Sequence, residues 1–364
     1  MSALTELLAV AEDRAGSAQG AGMPVVGCVG ADVPVELITA AGLLPLRLAG
    51  QPERDHALGD RYLGVGVDPV ARSVLSGILA GDYGNLEAIV VSRDCEASLR
   101  LFYALRELHR VEPETALPPV YLVDVLHLPH HTTTRYVQAR IGQLRDWLGR
   151  WRRIGDDDLA AAIEAHDALR RAFGRVAVLR RENRLTGSQF LGVVAATTAL
   201  PVAIATDLVE RLLAEAPALP EAGGTRVFLT GSSHDGPAVY ERLEDNGFFV
   251  AGEDHDWGEA LFARTCAAPT ELALAERYQY NGPAAPRASI RQRATHTAEA
   301  ARACGAEVLV SYARAGDDAP PWDFPDQRAA TGLPAVLAER QPYGELTDDA
   351  LAAIRELTTA GVAR

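Results

Sequence analysis

Residues 87–109, EAIVVSRDCEASLRLFYALRELH, pass from a short apolar run through a polar turn into an amphipathic segment. Leu101, Phe102, Leu105 and Leu108 recur at helical spacing and fall on one face. A buried strand followed at once by a helix is the repeating unit of a parallel sheet, because parallel neighbours need a crossover between them.

The same unit recurs on both sides of this stretch. Upstream, PVVGCV reads as a strand, VPVELITAAG as a helix ending at Gly42, LPLRL as a strand and PVARSVLSGILAG as a helix; downstream, PPVYLVDV is a further strand. Residues 132–218 lose the strand signal. TRYVQARIGQLRDWLGRWRR, DDDLAAAIEAHDALRRAFGRVAVLRR and ATDLVERLLAEA are helical, with Asp156 to Asp158 at a helix start. PALPEAGGT is a linker by its Pro and Gly content. A second series follows, with strands RVFLTG, FFVAGE, EVLVSY and LPAVLAE between helical PAVYERLEDNG, ASIRQRATHTAEAARACG, PDQRAATG and DDALAAIRELTTAG. The expected class is α/β: two doubly wound parallel-sheet domains of Rossmann type joined by a helical segment. The expected boundaries are an N-terminal helix at 1–20, a first α/β domain at 21–131, a helical connection at 132–224 and a second α/β domain at 225–364.

The 364 residues are 48% hydrophobic and 23% charged, with a formal charge of -14. That is enough apolar material for two cores, and the acidic excess disfavours a polyanion such as nucleic acid as partner. No apolar run reaches the roughly 18 residues of a bilayer span. MSALTELLAVAEDRAG carries acids among its leucines and reads as a helix, not a signal peptide. Four scattered cysteines argue against a disulfide framework. These readings predict a cytoplasmic protein with no membrane partner. Every basic residue other than histidine is an arginine. The absence of lysine removes Schiff-base pyridoxal phosphate chemistry and a Walker A phosphate site.

Open parallel sheets bind ligands at the carboxyl ends of their strands, and several candidate loops fall there. Cys95 opens the helix after EAIVVS; Asp94 can cap that helix and Glu96 suits its first turn. Exposed amides and the helix dipole lower a thiol pKa at such a place, which makes Cys95 a candidate nucleophile or metal ligand; the alternative is a buried small hydrophobe. His127, His130 and His131 follow PPVYLVDV in HLPHH. They are candidates for acid–base work or, with a carboxylate, for a divalent metal, against an ordinary solvated loop. In TGSSHDGP (230–237), Ser232, Ser233 and His234 precede a helix whose first amides can hold the anionic group of a cofactor. With only Gly231 and Gly236 the stretch is no dinucleotide fingerprint, and an ordinary turn is the alternative. EDHDWG (253–258) and RAGDDAPPWDFP (314–325) put carboxylates at similar edges; Cys28 and Cys304 read as core, and Cys266 as part of a helix or loop.

Several segments, in order and over nearly the whole chain, resemble the subunits of the 2-hydroxyacyl-CoA dehydratase and benzoyl-CoA reductase family, including the 2-hydroxyglutaryl-CoA dehydratase D-component. They are VPVELITAAGLLPLRLAG, SRDCEASLRLFYAL, an LP loop before a long helix, RVFLTGSSHDGPAVYERLEDNGFFVAGEDHDWG, LAERYQYNGPAAPRASIRQR, GAEVLVSY and GLPAVLAERQPYG. The resemblance implies two flavodoxin-like domains, a homo- or heterodimer of related subunits, and a CoA or other acyl thioester as substrate. It also implies a lyase or reductase activity, a 4Fe-4S cluster held by three cysteines, and a separate ATP-dependent activator that supplies electrons. Dehydrating a 2-hydroxyacyl thioester demands loss of an unactivated β-proton. One electron added to the carbonyl makes a ketyl radical that expels the hydroxyl and acidifies that proton.

The ligand positions that the resemblance implies fall on Asp68, in DPVARS where the family has Cys-Pro, on Cys95, and on Gly316-Asp317 where it has Cys-Asp. A further cysteine carried by some members falls on Ala284 or Ala285. One thiolate of three remains, leaving Cys95, Asp68 and Asp317 as candidate metal ligands. Thiolates hold such clusters, and hard carboxylates replace them poorly. The chain is then expected to be a cluster-poor subunit beside a cluster-bearing partner. The alternatives are a cluster-free non-redox enzyme using Cys95 or a His/Asp-bound ion, and a non-catalytic scaffold. The borrowed chemistry requires Cys95, Asp68 and Gly316 to converge on one cleft between the sheets.

Overall fold

A computed structural model describes residues 1–282 and 287–361. One sheet topology is used twice. The first sheet orders β1 (Val25–Val29), β2 (Leu44–Arg47), β3 (Leu86–Ser92) and β4 (Val120–Val123) as β2-β1-β3-β4. The second orders β5 (Thr225–Gly231), β6 (Phe248–Glu253), β7 (Val308–Arg314) and β8 (Ala335–Gln341) as β6-β5-β7-β8. All pairs are parallel. In each, the chain steps to one side of its first strand and then crosses to the other, so the winding direction reverses between β1 and β3 and again between β5 and β7.

The central strands β1 and β7 are buried along their whole length, whereas the edge strands β4 and β8 are half-buried. Helices cover both faces of a parallel sheet, which is why the middles of the inner strands are mostly apolar. The stretch at 87–109 becomes β3 and helix Glu96–Val111. Leu101, Leu105 and Leu108 pack on Val25, Ile89 and Val91, while Phe102 lies half-buried beside them. Full burial of each leucine contributes roughly 1.5–3 kcal/mol. On the opposite face, Val26, Ala88 and Val90 meet Ile141 and Leu144 of helix His131–Leu148.

Helices Asp156–Arg181 and Val202–Glu215 pack with Ala3–Glu12 around a third core that includes Leu7, Phe173 and Leu212. A further helix, Gly187–Thr197, completes this core and was not anticipated. It is buried nearly all round, so its sequence carries no amphipathic stripe. Only its capping box, Thr186 with Gln189, marks it locally. Helix Glu271–Gln279 comes from the stretch expected in the second domain, yet Leu274, Ala275 and Tyr278 pack into the first domain's core. Among the described residues no helix is long and apolar enough to cross a membrane.

Candidate functional site

The carboxyl edges of the two sheets face each other across a cleft of about 650 Å³. Both points of reversed winding open onto it, where an open α/β sheet offers its natural crevice. A glycine stands at each. Gly30 follows β1 with φ +87°, and a side chain there would collide with Ser92 and Asp94; Gly231 ends β5 with φ +104°, and a side chain would collide with the Tyr312 carbonyl. Cys95, Asp68, Gly316, Asp317, Ser232 and Ser233 all line this cleft.

Cys95, and not Asp94, caps helix Glu96–Val111: the Ser98 amide donates to its sulfur at 3.4 Å, and the Ser98 hydroxyl lies 3.2 Å from it. Asp94 turns back to β1, where its Oδ2 accepts the Ala31 amide at 2.8 Å. The expectation of a lowered thiol pKa is corrected. Although Cys95 is exposed to the cleft, the surrounding walls push its thiol up to about 12, and the Asp94 and Asp68 carboxylates add to this against the Ser98 bonds. Desolvation and two nearby negative charges outweigh the helix terminus.

Asp94 is the residue that local pattern undervalued. Burial raises its pKa, and the charges of Asp32 and Asp256 raise it further. Its Oδ1 is buried without a hydrogen bond of normal geometry among the described residues, although the Ser98 side chain lies near enough to favour the charged form.

At the second domain's edge Asp317, Ser232, Arg314 and Asp68 are joined in one hydrogen-bonded chain, while Arg314 Nε and Gln327 Oε1 are buried without a partner among the described residues. Asp68 caps helix Pro69–Ala80 through the Val70 amide at 2.8 Å, and its other oxygen accepts Arg314 Nη2 at 2.8 Å from across the cleft. Arg314 Nη1 donates to the Ser233 carbonyl at 2.9 Å, and the Arg314 amide to Ser232 Oγ at 3.0 Å. Ser232 Oγ in turn donates to Asp317 Oδ2 at 2.7 Å. The Ser232 amide is bonded to the Tyr312 carbonyl at 2.8 Å, so it is not available to cradle an anion. Arg47 adds a second interdomain pair with Asp256 at 2.6 Å.

The family model described as 2-hydroxyglutaryl-CoA dehydratase, D-component, matches residues 31–336. The chain belongs to this family. It is 23% identical over 327 residues to (R)-2-hydroxyglutaryl-CoA dehydratase, subunit beta, of Acidaminococcus fermentans, covering 85% of this chain and 84% of that one. It is 22% identical over 335 residues to the (R)-phenyllactyl-CoA dehydratase beta subunit of Clostridium sporogenes, covering 87% and 86%.

The donor set of this dehydratase-family chain does not fit a cysteine-bound iron–sulfur cluster. Cys95 is the one cysteine lining the cleft among the described residues. Asp68 is committed to Arg314, and Gly316 brings no side chain. Among the described residues no three His, Cys, Asp or Glu side chains stand close enough to hold a metal ion. Ala284 and Ala285 lie outside the described residues. Cys28 and Cys304 are core residues, and Cys266 sits half-buried in a loop, its thiol pushed up to about 12 by burial first and then by Glu36 and Asp167.

The histidines are dispersed. His127 Nε2 bonds Asp32 Oδ2 at 3.0 Å and its Nδ1 the Gln279 carbonyl at 3.0 Å, tying β4's loop to the first domain's interior. His130 and His131 are exposed at the start of helix His131–Leu148. His234 is buried behind the cleft against Tyr312, His255 and Tyr240, where burial keeps it neutral well below the usual histidine range. Of the carboxylates that EDHDWG puts at the sheet edge, Asp254 lines the cleft and accepts Thr230 at 3.0 Å and Thr297 at 2.6 Å; burial raises its pKa.

Proposed function

We propose that this chain is a dehydratase-type subunit that holds the acyl end of a thioester in its interdomain cleft, carries no cluster of its own, and works beside a related cluster-bearing subunit. One observation carries the reading: where the family places a cluster ligand, Asp68 is instead paired with Arg314 across the cleft. Both curated relatives are named as beta subunits of dehydratases, which supports a paired assembly. Ten carboxyl side chains and four arginines line the cleft, so the phosphates of a CoA group stay outside it. The test is iron and acid-labile sulfide in anaerobic preparations, with the chain alone and with its related subunit. We expect cluster only in the pair. About four irons per chain in the unpaired protein would overturn the reading, and absence from both preparations would remove redox chemistry.

Asp94 favours a more specific reading, in which this chain supplies the proton transfers while the electron that acidifies the C3 hydrogen comes from the cluster-bearing subunit. Dehydration removes the 2-hydroxyl as water together with a hydrogen from C3. A protonated Asp94, which burial favours, can hand its proton to the departing hydroxyl as the C2–O bond breaks. An ionised cleft carboxylate such as Asp256 can take the C3 hydrogen as a proton, the C–H electron pair closing the C2–C3 double bond. Asp94→Asn keeps the Ala31 bond and removes the proton. On this reading turnover falls by about 100-fold or more with KM nearly unchanged; unchanged turnover would discard it.

A further inference from the structure

A second cavity, of about 80 Å³, lies inside the first domain between the carboxyl end of β1 and helices Asp156–Arg181 and Glu271–Gln279. It shares Gly30 and Arg47 with the cleft wall. Its character is the reverse of the cleft's. Val33, Leu169, Leu200, Val202 and Phe262 supply apolar walls, and the charged residues that line it are all arginines.

Two of those arginines are already neutralised. Arg47 meets Asp256, and Arg170 meets both Glu36 and Asp167. Arg277 differs. It is 2% exposed, its Nε and Nη2 donate to the carbonyls of Arg264 and Leu261 at 3.1 Å each, and its Nη1 has no hydrogen-bond partner among the described residues. The nearby Glu36 spends its oxygens on Arg170 and on the Tyr278 hydroxyl. Glu36 acts on Arg277 only through space; a buried guanidinium with no carboxylate bonded to it is costly, and a bound anion offsets that cost.

We propose that this cavity binds a short-chain aliphatic carboxylate, its carboxylate on Arg277 and its chain against the apolar walls. Guanidinium matches carboxylate through charge-assisted bonds. The volume is far below that of a nucleotide pocket, and phosphate or sulfate would leave oxygens unpaired against Val33 and Phe262. The proposal is independent of the thioester reading, because a free carboxylate tests it.

Isothermal titration of the full chain with butyrate, and with butyramide as the neutral isostere, decides it. We expect butyrate to bind at least about tenfold more tightly than butyramide. Arg277→Gln, and Val202→Phe, which fills the cavity and keeps the charge, should each weaken butyrate by about tenfold or more. Equal binding of acid and amide, no binding of butyrate up to about 50 mM, or unchanged binding in a folded Val202→Phe chain would overturn the proposal. Where Arg277→Gln does not fold, Val202→Phe and the acid–amide comparison decide. A final arm separates two sources of the ligand: competition by succinyl-CoA but not butyryl-CoA supports the far end of a bound acyl group, and competition by neither supports a free carboxylate.

Discussion

The two sheet edges that face the cleft share a topology and differ in how their polar groups are satisfied. At the second domain's edge, Asp317, Ser232, Arg314 and Asp68 form one hydrogen-bonded chain that also joins the domains. At the first domain's edge, among the described residues, Asp94 keeps an oxygen without a well-formed bond, and the Cys95 thiol is bonded through Ser98. Satisfied networks rigidify, and unsatisfied buried groups are where chemistry or ligand binding is found. Arg314 Nε and Gln327 Oε1 at the second edge are also without partners among the described residues, but they belong to a guanidinium and an amide that do not exchange protons near neutrality. The first edge is therefore assigned reactivity through the Asp94 carboxyl, and the second edge shape through the Asp68–Arg314 pair.

That contrast can be broken most severely at Asp68. Asp68→Ala leaves the buried Arg314 guanidinium without its carboxylate, and we expect a loss of about 3 kcal/mol in urea unfolding. A loss below about 1 kcal/mol would mean that the pair is solvent-screened and does not hold the domains.

The thiol gives the next largest effect. With its pKa pushed up to about 12 by the desolvating cleft walls and the two neighbouring carboxylates, Cys95, although reachable from the cleft, should react with iodoacetamide at pH 8 at least about 100-fold more slowly than a free thiol. Peptide mass spectrometry reads the rate. Fast alkylation would restore a thiolate and with it the nucleophile reading.

Titration sharpens the comparison further. Burial raises Asp94, so its contribution to stability is present below the ordinary carboxyl range and is lost as pH rises through its raised value. Glu36 has the opposite sign. Burial pushes it up, but Arg170 and then Arg277 outweigh burial and hold it at about 2; its contribution is present above its ordinary value of 4.5 and is lost as pH falls through about 2. Asp94→Asn should therefore be at least as stable as wild type at neutral pH, with the difference closing in acid, as unfolding curves across pH will read.

The smallest effect belongs to the exposed Glu96–Arg100 pair at the same edge, whose nitrogen–oxygen distance is 3.1 Å. Removing it by Glu96→Ala should cost no more than about 0.5 kcal/mol in thermal unfolding. A larger loss would mean that Glu96 holds the cleft wall.

Much of the fold was legible because parallel strands and their crossover helices print distinct periods, as in 87–109. What stayed hidden depended on contacts remote in sequence. Helix Gly187–Thr197 has no apolar stripe to read, and Glu271–Gln279 crosses to the other domain because Tyr278 reaches Glu36 at 2.9 Å. In the site, position along the chain placed Cys95 at a helix start but said nothing of the walls that surround it. Asp94 looked like a cap; its role depends on Asp32 and Asp256, which the chain brings from far away. Arg277 looked like one arginine among many until its unpartnered Nη1 was visible.

Calorimetric titration of the unpaired, chelator-treated chain with a 2-hydroxyacyl-CoA and with its pantetheine analogue tests the cleft most directly. We predict that both bind, within about threefold of each other, and that Ala71→Trp in the cleft wall abolishes both. Binding that appears only after iron and sulfide are restored, or that requires the phosphates, would contradict a thioester site built from this chain's own side chains.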